Sequence, residues 1–375
     1  MITYNEKFDE NYQIMKDVVA FTNKHTAGAY SGMATPAAYY GVTIAQHMLD
    51  REAGLKRHFD YIAELAKHGP INAVNTGYMG FVDVFESMIW WSHVKMPGLE
   101  LPDNSVWQVE EKTNISVEDY DFIIDNGYMA MTQQLLPKIV DPERLGPFFE
   151  SMAVSDEPAV QYVVDQGLAN TNALLLCPPF ETLCGGRGMH KFFMDCYKIP
   201  DKVKAVLDAM MVDIRAQIDA MPEERFMFGA WIGGWRGASS MVNQKIWDML
   251  VWPYILEMAE LVHKKGVVPV LHLDASWTRD LARFKELPAK SCILNTDGMT
   301  DLREARRILG DHVALMGDVP VQMLALSKKE EVLDYTRRLI EDVGPQGLVI
   351  TAGCDAPGDA KFENMCAMYE AAAEF

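Results

Sequence analysis

Gly266-Val-Val-Pro-Val-Leu-His272-Leu-Asp274 is an apolar run that ends abruptly on an imidazole and a carboxylate. Residues of both parities are apolar, so the strand it predicts is buried on both faces, as strands of parallel sheets are. Three more runs downstream have the same character: Ser291-Cys-Ile-Leu-Asn295, His312-Val-Ala-Leu-Met316 and Gly347-Leu-Val-Ile-Thr351. Upstream, Asn172-Ala-Leu-Leu-Leu-Cys177 stops at Pro178-Pro179, and Phe226 to Ile232 stops at Gly233-Gly234. Helical periodicity fills the gaps. Pro200 opens a helix in which Val203, Val206, Leu207, Met210, Ile214 and Ile218 recur with a 3.6-residue period. Residues 243–265 read as a long helix that Pro253 kinks or divides, and 301–309, 328–341 and 361–373 as further helices. Repeated strand–helix alternation of this kind predicts an α/β fold, a closed (β/α)8 TIM barrel. An open doubly wound sheet is the alternative. No Gly-x-Gly-x-x-Gly follows any of these strands, so a dinucleotide site has no support.

The first 150 residues carry a weaker pattern. Segments 4–23 and 44–68 read as helical and 95–118 as a loop with extended pieces. The expectation is one domain over 1–375, with 1–70 as a mainly helical N-terminal extension. The chain has 34 Lys+Arg against 53 Asp+Glu, a formal charge of −19. This acidity, with no basic run, argues against nucleic acid or an anionic membrane as partner. It also disfavours a polyanionic substrate. Six cysteines in 375 residues are too sparse for a disulfide scaffold and suit a reducing compartment. The N-terminus has no basic region followed by an apolar stretch, and no window reaches the apolar length of a membrane span. A cytoplasmic protein is expected.

In a parallel barrel, reactive groups sit at the carboxyl ends of the strands. His272 and Asp274 are two apart, so they share a face while the chain stays extended. Gly353-Cys354-Asp355 closes the last strand. Together His272, Asp274 and Cys354 offer nitrogen, oxygen and sulfur, a set that suits a catalytic Zn2+ with one open position. The competing readings are a hydrogen-bonded structural pair for His272–Asp274 and a buried small residue for Cys354. Trp231-Ile-Gly-Gly-Trp235-Arg236-Gly237 follows another strand, either as a tight turn with a rim tryptophan or as a substrate-facing loop. Asp297 and Asp318 lie at strand ends, where they orient a ligand or cap the next helix.

Residues 170–373 resemble the uroporphyrinogen decarboxylase-like superfamily, and most closely its cobamide-dependent methyltransferase branch. The resemblance is carried by Pro178-Pro-Phe180 with Gly185-Gly186, and by Trp252-Pro-Tyr254 ahead of Val270-Leu-His272. Thr300-Asp-Leu302-Arg-Glu-Ala305, Gly317-Asp-Val-Pro320, Gly353-Cys-Asp-Ala-Pro357 and Glu363-Asn364 complete it. The resemblance implies a TIM barrel. It does not extend to the arginine-rich N-terminal loop with which the decarboxylases hold their polycarboxylate. The first sixty residues hold only Arg51 and Arg57, both within a predicted helix. Methyltransferases of the branch bind zinc through a His-x-Cys pair and a distant Cys. His272 and Cys354 match the first and last positions, while Asp274 stands at the middle one. A carboxylate donates less charge than a thiolate, which leaves zinc a stronger Lewis acid towards oxygen. The resemblance therefore implies an O-demethylase methyltransferase, moving a methyl group from an aryl methyl ether to a corrinoid (cobalamin) carried by a partner protein. The chain itself has no Asp-x-His-x-x-Gly corrinoid-ligating segment. The alternatives are a methylcobamide:thiol methyltransferase and a decarboxylase of the same fold. A homodimer is left open by the sequence.

Overall fold

A computed structural model of the chain describes residues 1–75, 80–153 and 157–375. Its strands are β1 (Ala27–Tyr30), β2 (Ala73–Val74), β3 (Val94–Lys95), β4 (Gln108–Val109), β5 (Ala169–Asn170), β6 (Leu174–Leu176), β7 (Gly229–Gly234), β8 (Val268–Leu273), β9 (Ile293–Thr296), β10 (Ala314–Val319) and β11 (Leu348–Ala352). The main sheet is parallel throughout, in the order β5-β2-β1-β11-β10-β9-β8-β7-β6. Its two edge strands, β5 and β6, are separated by only Thr171-Asn-Ala173. Thr171 N donates to Val74 O on one side and Ala173 N donates to Gly229 O on the other. One bent stave therefore joins the two edges of the sheet, and the ring has eight staves. The TIM-barrel architecture expected from the sequence is the one observed. Strands β3 and β4 form a separate antiparallel pair.

Strand β1 lies inside residues 1–70, so that segment supplies a barrel stave as well as helices. The helix Glu6–Ala20 is capped by Asn5, whose side chain accepts from Phe8 N. Its Met15, Val18 and Val19 pack beneath the barrel against Ala27, Ala29, Ala73 and Ala169, small residues at the strand starts that leave room for it. Val268, Val270, Ile293, Ala314, Met316 and Val349 continue this inner cluster upward. The helix Pro200–Asp219 buries all six of its periodic residues. Residues 243–265 are not one continuous helix. A short α-turn (Gln244–Ile246) passes into a π-turn (Trp247–Val251), and a new helix Trp252–Lys264 carries Pro253 in its first turn. Proline lacks the N–H a continuous helix needs but fits a first turn, so the break falls just ahead of it. Among the described residues no helix is long and apolar enough to cross a membrane.

Candidate metal centre and its cavity

Because side chains alternate along a strand, Val268, Val270 and His272 all point to the barrel axis, with His272 uppermost. The parallel register sets His272 opposite Asn295 of β9, and His272 Nδ1 is hydrogen-bonded to Asn295 Oδ1. The orientation of Asn295 is fixed independently. Its Nδ2 donates to Met316 O at 3.0 Å, and a carbonyl can only accept, so Oδ1 must be the atom turned to the imidazole. Nδ1 therefore carries the proton, and the lone pair of Nε2 faces the barrel mouth. This is how a metal-binding histidine is oriented by its outer partner.

Nε2 lies 3.2 Å from Asp274 Oδ1, and Cys354 Sγ lies 3.8 Å from Nε2. Cys354 Sγ is 4.0 Å from Asp274 Oδ2. A tetrahedral zinc with ordinary bond lengths separates nitrogen from oxygen by about 3.3 Å, and sulfur from either by about 3.6 Å. The nitrogen–oxygen and nitrogen–sulfur separations come close to those of a zinc tripod, while Cys354 Sγ approaches the carboxylate through its other oxygen, Oδ2. Asp274 Oδ1 is buried and has no hydrogen-bond partner among the described residues, which is costly unless a cation answers it. The donor set fits a divalent metal. Burial pulls the pKa of the imidazole down, yet Asp274 and Cys354 outweigh burial and raise it well above the usual histidine range, so the site draws positive charge to Nε2, a proton when no metal is bound. Among the described residues these three form the only cluster of potential metal donors of this kind.

The loop carrying Asp274 is held from several sides. Asp274 N donates to Gly234 O, and Trp277 Nε1 donates to Asp274 O at 2.8 Å. Ala275 adopts a left-handed φ of 65°, an uncommon conformation for alanine. Asp297 holds that turn by accepting from Ala275 N and Met299 N, each at 2.9 Å. Gly353 is a position where no side chain fits, since a Cβ there would lie 2.9 Å from Asp297 O. This close approach brings Cys354 to the other two donors.

A cavity partly open to solvent lies over the tripod. His272, Asp274 and Cys354 line its floor, and Trp90, Trp107, Trp231 and Trp235 give it aromatic walls. The Trp231 ring stacks on the His272 imidazole with centroids 5.4 Å apart. Trp90 meets Trp235 at 4.9 Å and Trp231 at 6.5 Å. Behind Trp235, the fully buried Arg236 guanidinium lies 4.1 Å from its ring centroid. The Arg236 charge is answered by Glu111 at 3.2 Å and Glu181 at 3.9 Å, away from the cavity. Glu86 also lines the cavity, and its Oε2 accepts from Trp90 Nε1 at 2.6 Å. Burial pushes the Glu86 carboxyl up to about 7. Asp355 accepts from Met33 N and Ser31 Oγ, yet burial pushes its carboxyl up to about 6.

Of the residues singled out in the sequence, His272, Asp274, Cys354, Trp231 and Trp235 are brought together here. Asp297 and Asp318 are not among the cavity's lining. Both carboxylate oxygens of Asp297 are engaged with the Ala275 turn, and Asp318 accepts from Tyr335 Oη at 3.0 Å on the outer helix Lys329–Val343. In the structure both act as hydrogen-bond acceptors, Asp297 to a turn and Asp318 to a helix. Sequence reasoning missed Glu86 and Trp90, from the helix Val82–Trp90, and Trp107, beside β4. None of them lies at the carboxyl end of a barrel strand, so only the Trp90–Glu86 spacing of four hinted at a shared helix face.

No curated protein sequence matches the chain. Among solved structures, a methyltransferase from Methanosarcina mazei superposes with a TM-score of 0.66 at 13% identity, covering 97% of this chain and 98% of that one. A B12-independent methionine synthase from Shewanella sp. W3-18-1 overlaps with a TM-score of only 0.41 at 12% identity, covering 92% of this chain and 96% of that one, too loosely to bear on the fold. The family model described as uroporphyrinogen decarboxylase (URO-D) matches residues 179–375, just over half of the chain and every strand from β7 to the C-terminus. The chain belongs to the uroporphyrinogen decarboxylase (URO-D) family.

Proposed function

We propose that this URO-D-family protein is a zinc-dependent methyltransferase that moves a methyl group from a small aryl methyl ether to the Co(I) of a corrinoid protein. The observation that carries this reading is the His272–Asp274–Cys354 tripod at the floor of a tryptophan-walled cavity. A superposable methyltransferase over nearly the whole length agrees with it. Among the described residues no arginine or lysine lines the cavity, which speaks against the polycarboxylate chemistry of the decarboxylases. Arg57 is turned aside to Gln46 O and His47 Nδ1.

When bound, zinc supplies Lewis acidity towards the donor's oxygen, and the partner's corrinoid supplies the nucleophile. The chain's own residues set the conditions. His272 gives a neutral nitrogen donor because Asn295 holds its other proton. Asp274 in place of a second thiolate leaves more positive charge on the metal, which favours an oxygen over a thiol. Trp90, Trp107, Trp231 and Trp235 flank an aromatic ring and exclude water, so the ring is held with little freedom and charge is felt strongly. The open side of the cavity leaves room for a docking protein.

The test is metal analysis of wild type and Cys354→Ala, followed by methylation of cob(I)alamin by methoxylated aromatics. The expected result is about one zinc per chain in wild type, lost in the variant together with methyl transfer. Full activity after complete chelation, or transfer only between methylcobalamin and thiols, refutes the proposal.

A further inference from the structure

Beyond the metal ligands the cavity is lined by the polar side chains of Ser31, Asn75, Glu86, Asn172 and Asp355, and by no Arg or Lys among the described residues. Glu86 is a carboxylate, and Asn172 Oδ1 is buried and unpartnered among the described residues. Trp90 Nε1 meets Glu86 Oε2, and no other hydrogen bond to the Glu86 carboxylate is made by the described residues. The nearby guanidinium of Arg236 is engaged behind Trp235 and does not line the cavity. No Arg or Lys among the described residues pairs with Glu86, whose carboxyl burial pushes up to about 7, so a positive charge placed beside it restores the ionised carboxylate and the cavity pulls on cations. Tryptophan faces add to it, since their quadrupoles attract cations. Burying such carboxylates without a counterion is costly, so a ligand that brings one is favoured.

Resting on the methyl-ether reading above, we infer that the donor carries a positively charged nitrogen, placing an ammonium group between Glu86, Asn172 and the tryptophan faces. The substrate class is thus an amine-bearing methoxyarene, and methoxybenzoates are discriminated against. The acidic chain as a whole reinforces this choice, drawing cations towards the opening and repelling anions.

The experiment measures dissociation constants of zinc-loaded wild type by tryptophan fluorescence for three matched probes: para-methoxybenzylamine, para-methoxybenzyl alcohol and para-methoxybenzoate. The amine is expected to bind about tenfold more tightly than the alcohol, and the benzoate more weakly than either. In Glu86→Gln the amine's advantage over the alcohol shrinks to within about threefold. The wild-type ranking stands on its own if that variant folds poorly. A benzoate that binds as well as the amine, or an amine preference untouched by Glu86→Gln, overturns the inference. A fourth probe, benzyltrimethylammonium, has the charge but no ether. If it binds in a Glu86-dependent way while no methoxyarene methylates cob(I)alamin, the ether reading fails and the charge preference survives. Methyl transfer that proceeds equally from amine, alcohol and benzoate has the opposite consequence: the ether reading survives and the charge preference fails.

Discussion

Asn295→Leu removes the acceptor that fixes the His272 tautomer while keeping the size of the side chain. In wild type the amide is clamped between His272 Nδ1 and Met316 O. Leucine leaves Nδ1 without its partner, so the proton is free to sit on either nitrogen and the ring is free to rotate. Loss of such an outer partner weakens metal binding by about 10- to 100-fold. That corresponds to about 1.4–2.7 kcal/mol of zinc affinity. A separate cost falls on the fold, because Met316 O loses its donor inside the barrel, about 1–3 kcal/mol. Competition with a chelator of known affinity measures the first term, and urea unfolding of the metal-free chain the second. Asn295→Asp distinguishes hydrogen bonding from packing, since it keeps an acceptor for Nδ1. Its zinc affinity is expected to stay within about threefold of wild type or to rise. Zinc binding by a folded Asn295→Leu chain within twofold of wild type refutes the role given to Asn295.

Gly233→Ala places a Cβ 2.2 Å from His272 O and 2.7 Å from the Trp231 ring. A backbone oxygen cannot step aside, so a loss of about 1–3 kcal/mol or more in stability is expected, with weakened zinc binding in whatever folds. Asp297→Ala unties the left-handed Ala275 turn; thermal unfolding is expected to show a loss of about 1.5–3 kcal/mol, with zinc still bound at saturation. His58 is buried with both ring nitrogens unpartnered among the described residues, and burial pulls its pKa from 6.5 down to about 3. The unfolded chain therefore takes up this proton first, so the contribution is present above pH 6.5 and lost as pH falls towards 3. His58→Phe removes the penalty, and its stability relative to wild type should grow by up to about 1.4 kcal/mol per unit below that point. Urea midpoints measured in parallel that keep a constant gap across the range contradict this.

The C-terminal half was legible because β8 to β11 are apolar on both faces and end on polar residues. That pattern located His272, Asp274 and Cys354 without any knowledge of their distances. The early staves escaped notice for a physical reason. β1 reads Ala-Gly-Ala-Tyr, and β2 and β5 are two residues each, with alanines chosen to make room for the helix beneath them. Small residues in short strands leave no hydrophobic run to detect. Glu86, Trp90 and Trp107 were illegible because folding, not strand periodicity, carries them to the mouth. Asp297 and Asp318 were visible as strand-end acids, but position alone does not tell a ligand contact from a hydrogen bond to a neighbouring turn or helix.

The helix Glu6–Ala20 stoppers the barrel from below, with Met15, Val18 and Val19 against the strand starts. A vessel corked at its base is entered from its mouth, and under the proposed reaction two reactants must share that mouth. The smaller must already be seated when the larger arrives, because a docked corrinoid protein blocks the threshold. Turnover should accordingly follow a compulsory sequence, with the demethylated product trapped until the macromolecule departs.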